Sequence, residues 1–576
     1  MPGLSQMKKW PRKSEPKPRR FAGAAASPAR GGGQINAPDA VRSFAANLAL
    51  VALAALLFAA SFPSLLVERG LPFLAWVAYV PVFVLLRRVG LAASIFWGAA
   101  YGYAAYGLFN YWLAAFHPLA GIIVNSLYMA YAAVLFFALR LAMVFFPRRA
   151  YLVQWAIWLA YEYLRTLGFL GYSYGITGYS QWQMIPLIQI AGIFGVWGVS
   201  ALVLFPSAWL GAALVNLGGK ANNAAGNIAE FFRLEKIPAI AWAAALVAAL
   251  GYGLVSPADY SSARKANIAL IQLNADPWKG SLQDFRSNFE TLARLSGEAL
   301  AADPKPDMVV WSETAFVPRI YWHQTYRLDQ ASWILVRELL DYLARQDVPF
   351  VVGNDDARKD PAKNPNAYEE HRVDYNAALL YEGGQITGLY RKLHLVPFTE
   401  YFPYEKQFPA IYRALRDADT HFWEKGTEAT VFAGPGFAFS TPICFEDTFG
   451  YLSRKFVQNG AEIIVNLSND AWSKSLPAQN QHLSMAVFRA VENRRAMVRS
   501  TASGQTCGID PSGRIIAMAP PFAEAWITVT VPIVEGEHTV YTRLGDYLGA
   551  GFALAAALLL LFGGSACILR KIVRRR

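Results

Sequence analysis

A thiol, a carboxylate and an ammonium each stand where a strand-like run of this chain ends. Cys444 lies in Thr441-Pro442-Ile443-Cys444-Phe445-Glu446-Asp447, Glu313 in Trp311-Ser312-Glu313-Thr314, and Lys392 in Tyr390-Arg391-Lys392-Leu393-His394. A thiolate attacks an ester carbonyl, and the thioester it forms can pass its acyl group to an amine. A carboxylate at a buried strand end can serve as general base. A cation can stabilise the tetrahedral oxyanion together with a backbone N–H beside the nucleophile. Each residue alone also has a plain structural reading: a small buried hydrophobe, a surface carboxylate, a solvated cation. Spacing does not choose between the two.

The elements that must position these groups are strands and helices in alternation. Apolar runs predict strands over 266–274, 308–311, 349–353, 438–443, 462–467, 498–501 and 526–531. Segments 377–381 and 386–391 flank Glu382-Gly383-Gly384, a hairpin signal. Helical spacing of Phe285, Phe289, Leu292 and Leu295 predicts a helix over 282–302, with others near 328–345, 449–458 and 478–495. The expectation is an α/β domain with layered sheets and helices over 256–546. The segments 318–327 and 400–425 carry no periodicity and are expected to be mobile loops.

Composition places that domain beside a membrane. The chain has 576 residues, 55% hydrophobic and 16% charged, too apolar for an ordinary soluble protein. Eight runs are long enough to cross a bilayer: 44–62, 71–86, 91–112, 121–146, 151–169, 185–216, 237–255 and 547–569. The sixth is long enough to be bent or partly re-entrant. The expected order is therefore a basic disordered tail (1–43), a membrane domain with seven spans (44–255), the α/β domain (256–546), an eighth span (547–569) and a basic tail (570–576). Lys and Arg crowd both ends, and Arg87-Arg88, Arg148-Arg149, Arg233 and Lys236 fall in loops of one side. The positive-inside rule then puts both termini in the cytoplasm and the α/β domain on the outer face. The net charge of +12 sits in tails and short loops, which disfavours nucleic acid as a partner. Cys444, Cys507 and Cys567 have no metal-like spacing, and nothing resembles a ligand cluster or a phosphate-cradling loop. No metal or cofactor is expected.

WSET around Glu313, YRKLHLVPFTEYFP around Lys392 and PICFED around Cys444 resemble, in order and context, the Glu-Lys-Cys triad of the nitrilase superfamily. HLVPFTEYFP (394–403), LSNDAWSKS (467–475), QHLSMAVFRAVENRR (481–495) and RSTASGQT (499–506) are similar to one branch of it, the bacterial apolipoprotein N-acyltransferases. So is the membrane segment WLAYEYLRTLGFLGYSYGITGYSQ (158–181). The resemblance implies a four-layer αββα sandwich and an inner-membrane enzyme with its catalytic domain on the periplasmic side. It implies that Cys444, activated by Glu313, takes an acyl chain from a phospholipid and yields it to the α-amine of a diacylglyceryl-cysteine lipoprotein. Lys392 would stabilise both tetrahedral states. Glu400 and Glu446 match supporting acids, and Trp278 matches a substrate-contacting Trp. Phe445 departs from the family, which commonly has an aromatic hydroxyl after the Cys.

Two other functions fit parts of the chain. A membrane-tethered nitrilase-like amidase would let water reach the thioester, and it leaves the spans unexplained. A transporter or scaffold would not need three intact triad residues. Among the remaining residues, His394 and His482 read as structural, because the triad pattern needs no histidine. Asn469-Asp470 read as a loop-shaping pair, and Arg140 as a phosphate contact from within a span.

Overall fold

The computed structural model describes residues 37–575 apart from 117, 218–223, 258, 277–278, 361–371, 418–420 and 537. Trp278 and most of the basic tail lie outside the described residues. Two six-stranded sheets form the α/β half. The first contains β1 (Lys265–Gln272), β2 (Met308–Trp311), β3 (Phe350–Lys359), β4 (Arg372–Glu382) and β5 (Gln385–Arg391). The second contains β6 (Val431–Ala433), β7 (Ala438–Ser440), β8 (Ile463–Ser468), β9 (Ala496–Thr501), β10 (Cys507–Ile509) and β11 (Ile515–Met518). The last strand, β12 (Ala525–Pro532), returns to pair antiparallel with β1. The orders are β12-β1-β2-β3-β4-β5 and β11-β10-β9-β8-β7-β6, each with a parallel trio at its centre.

Alternation along β1 explains the layers, because successive side chains leave opposite faces. Ala269 and Ile271 pack with Trp311 and with Leu292 and Leu339 of helices Leu282–Ala301 and Gln330–Leu343. Ile268 and Leu270 join the other core with Val498 of β9 and Val529 of β12. Helices Gly450–Gln458 and Leu476–Asn493 cover the second sheet, completing αββα. Between the sheets, the Ser500 hydroxyl meets the carbonyls of Ile271 (3.2 Å) and Val310 (3.0 Å). Gly383 and Gly384 have φ of +57° and +85° and close the β4–β5 hairpin, a turn that only glycine makes without strain.

Five helices among the described residues are long and apolar enough to cross a membrane: Pro38–Ser61, Ala120–Phe145, Val196–Val215, Lys236–Val255 and Tyr547–Val573. Several of the expected spans depart from a single long helix. Residues 71–86 break into a 3-10 helix, Pro72–Trp76, and a short helix, Val80–Arg88. Residues 185–216 become Ile185–Ile188, Ala191–Phe194 and Val196–Leu217. Helix Ala150–Leu164 has only 15 residues, ten of them buried within the bundle. Helix Leu91–Phe109 packs closely on helix Pro118–Phe145: a Cβ on Gly98 or Gly102 would stand 2.4 or 2.3 Å from a carbonyl oxygen of that neighbour. Small residues at this spacing are how apolar helices approach in lipid. The first helix starts at Ala37, so residues 37–43, read as tail, are helical. Arg140 donates to the Val89 carbonyl (2.8 Å), at the end of helix Val80–Arg88, and so has a partner other than a phosphate.

Two expectations for loops are corrected. Ile320–Tyr326 and Pro409–Asp417 are helices. Ile320–Tyr326 has only seven residues, too few to display a repeat.

Candidate active site

Glu313 follows β2, Lys392 follows β5, and Cys444 opens a 3-10 turn after β7. The fold brings all three together. Lys392 is fully buried, with Nζ 3.2 Å from Glu313 Oε1 and 2.8 Å from Glu400 Oε1. A buried ammonium needs such partners, since leaving water penalises its charge. Burial pulls the Lys392 pKa down, but the carboxylates of Glu313 and Glu400, joined by Cys444 when it is ionised, hold it above the ordinary range. Burial pushes Glu400 up, and its second oxygen accepts from the Val396 N–H (2.9 Å). Asn376 of β4 was missed in the sequence: its amide donates to Glu313 Oε1 (2.8 Å), and its carbonyl accepts from the Lys392 N–H (2.8 Å). No motif marks it, because its partners come from two other strands.

Cys444 is buried and sits at φ +49°, left-handed backbone that a non-glycine residue holds only when its surroundings enforce it. Burial raises its pKa well above the usual thiol range, Glu313 adds to that, and Lys392 opposes it. The resting sulfur is therefore a thiol. Glu446 fixes the turn to the Lys392 strand. It accepts from the N–H groups of Ile443 (2.7 Å), Leu393 (2.7 Å) and His394 (2.9 Å) and from the Tyr390 hydroxyl (2.8 Å). Burial pushes its pKa up to about 7, against those donors. Phe445 packs edge-on to Phe449 at 5.0 Å and near His394 at 5.8 Å, so an aromatic wall flanks the turn at Cys444.

Beneath Cys444 lies a second charged group. His482 Nε2 is 2.6 Å from Asp447 Oδ1 and 3.3 Å from the Cys444 carbonyl, and Nδ1 is 3.0 Å from Asp470 Oδ1. Arg499 bonds Asp447 and lies 3.6 Å from Asp470. Burial pulls His482 down, but Asp447 and Asp470 push it up to about 9. Asn469 shapes its loop as expected, accepting from the Ala471 N–H (3.2 Å), whereas Asp470 binds the histidine. His394 bonds Tyr451 (2.8 Å) and makes no such cluster.

Helix Leu476–Asn493 carries His482 and joins the two halves. Gln481 donates to the carbonyls of Pro63 (2.7 Å) and Phe109 (2.9 Å) and accepts from Trp112 (3.0 Å), while Arg489 donates to the Tyr179 hydroxyl (3.0 Å). The site thus lies beside the seam between a membrane bundle and a sandwich. A model of the apolipoprotein N-acyltransferase N-terminal domain matches residues 54–209, and a carbon-nitrogen hydrolase model matches residues 267–539. Apolipoprotein N-acyltransferase 1 of Treponema denticola is 46% identical over 542 residues, covering 92% of this chain and 98% of its own. This chain belongs to the apolipoprotein N-acyltransferase family. The Treponema pallidum protein of the same name is also 46% identical, over 92% of this acyltransferase and 97% of its own length. A solved carbon-nitrogen hydrolase from Helicobacter pylori G27 aligns with 47% of the acyltransferase and 89% of its own chain, at 15% identity and a TM-score of 0.34.

Proposed function

We propose that this acyltransferase moves a fatty acyl chain from a membrane phospholipid, through a thioester on Cys444, to the α-amine of the N-terminal diacylglyceryl-cysteine of lipoproteins. One observation carries the reading most: a fully buried Lys392 paired with Glu313 beside a buried, left-handed Cys444, at the seam with apolar helices. The thiol proton passes to Glu313 as sulfur attacks the ester carbonyl. The C–O bond then breaks, and the same proton goes to the lysophospholipid oxygen. In the second half the amine attacks the thioester, gives its proton through Glu313 to the departing sulfur, and leaves an amide. The Lys392 ammonium and the Phe445 N–H stabilise the oxyanion each time. Glu400 shares the ammonium, Glu446 holds the turn, and Trp278 contacts substrate. No metal or cofactor enters either step.

The proposed setting is the bacterial inner membrane, with eight crossings, both termini cytoplasmic and the catalytic half periplasmic. Its support is the clustering of Arg87, Arg88, Arg148, Arg149, Arg233 and Lys236 on one side. The test is intact mass spectrometry of detergent-purified protein after incubation with phospholipid. A fatty-acyl adduct on wild type, absent from Cys444→Ala and discharged by a diacylglyceryl-cysteine peptide, is the expected result. Discharge by water alone would make the enzyme a hydrolase, and no adduct on folded protein would overturn the reading.

A further inference from the structure

The steps above leave the charges under Cys444 unused. Asp447 lies three residues beyond the nucleophile, Asp470 follows β8, His482 stands on helix Leu476–Asn493 and Arg499 on β9. No side chain of the four is more than 4% exposed. Both nitrogens of His482 face acceptors: Asp470 on one side, Asp447 and the Cys444 carbonyl on the other. An ionised carboxylate offers only lone pairs, so both nitrogens donate and the ring is a cation. Two anions and two cations then balance one another beneath the sulfur. Cys507 of β10 and Tyr174 of the membrane half are the further titratable neighbours of the cluster, and Glu313 and Lys392 are those of Cys444. With His482 neutral, the cluster would hold a net negative charge where a thiolate must form, and a like charge disfavours it.

We propose that His482 is a positioning residue for acyl transfer: an imidazolium clamped between Asp447 and Asp470 that holds the Cys444 carbonyl, keeps the nucleophile in its left-handed turn and cancels the negative charge facing the sulfur. This rests on Cys444 being the nucleophile.

The test compares full-length, detergent-solubilised wild type with His482→Gln, Asp470→Asn and the double variant. The rate of Cys444 alkylation by iodoacetamide is followed against pH by peptide mass, beside acyl-adduct formation from phosphatidylethanolamine. Glutamine keeps a hydrogen-bonding group but no charge, and the double variant restores the balance. His482→Gln should raise the alkylation midpoint by about one pH unit and slow adduct formation ~10-fold or more. The double variant should move both back toward wild type. Asp470→Asn alone, which leaves an excess positive charge, should lower the midpoint even where His482→Gln fails to fold. A double variant worse than His482→Gln, an unmoved midpoint in folded His482→Gln, or a raised one in Asp470→Asn overturns the proposal. If the midpoints move as stated while wild type forms no acyl adduct, the acyl-transfer reading fails and takes with it the role of His482 in acyl transfer, while the charge balance that His482 sets beneath Cys444 stands.

Discussion

In the first sheet, the covering helices Leu282–Ala301 and Gln330–Leu343 bury one face each and turn the other to water. In the second, helix Leu476–Asn493 is buried at every residue from Ala478 to Asn493. Both sheets follow one plan of strand order, so the difference comes from what lies outside them. The first supplies Glu313 and Lys392, and the second supplies Cys444. Cys444, the proposed nucleophile, is thus tied to the membrane bundle through Gln481 and Arg489 of the helix behind it, while Glu313 and Lys392 belong to the layer that meets solvent. The two meet at Lys392, Glu446 and the turn between them.

Substitutions should respect that contrast. Cys444→Ala should remove all acyl-adduct formation while leaving the thermal transition in place, because it replaces a small buried side chain. Arg489→Ala strands Glu492 inside the seam, where the two form a 3.0 Å pair. It should lower stability by ~3–5 kcal/mol, read as the loss of Tm in detergent. Glu446→Gln turns an acceptor of several bonds into a group that also donates, for ~1–3 kcal/mol, and adduct formation should fall with it. At the other end of the scale, Arg286→Ala breaks the 2.6 Å pair with Glu338 between the two outer helices of the first sheet. These groups are well hydrated, so the change should be ~0–1 kcal/mol and vanish in high salt. A large Tm loss there would erase the distinction between the layers.

A pH series sharpens the same comparison. Although burial opposes it, Asp447 and Asp470 raise His482 to about 9, against an unfolded value of ~6.5. A raised histidine contributes stability that is complete below the unfolded value and is lost as pH rises through the folded one. The Tm gap between wild type and His482→Gln should therefore narrow between pH ~6.5 and about 9, and an unchanged gap would argue against the cation.

Much of this was legible in the residues. Helix 282–301 starts where Ser281 and Asp284 form a capping box, and β2 keeps its predicted bounds. The hairpin follows from two glycines. The short strands β6, β10 and β11, of three or four residues each, were not read from the sequence. The group around His482 escaped as well. Its members come from a turn, a loop, a helix and a strand, and only packing makes them neighbours. His482 looked structural because the triad needs no histidine, and Asp470 looked like a loop former beside Asn469.

Helix Leu476–Asn493 also sets a limit on modularity. One side of it carries His482 behind Cys444, and another is where Gln481 reaches Phe109 and Arg489 reaches Tyr179. The two halves share it as a common part, so neither owns a finished surface there. Cutting the chain at residue 256 would not release a free-standing hydrolase. It would open a raw seam, with Gln481 stripped of the Pro63 and Phe109 carbonyls and Arg489 left with Glu492 but without the Tyr179 hydroxyl.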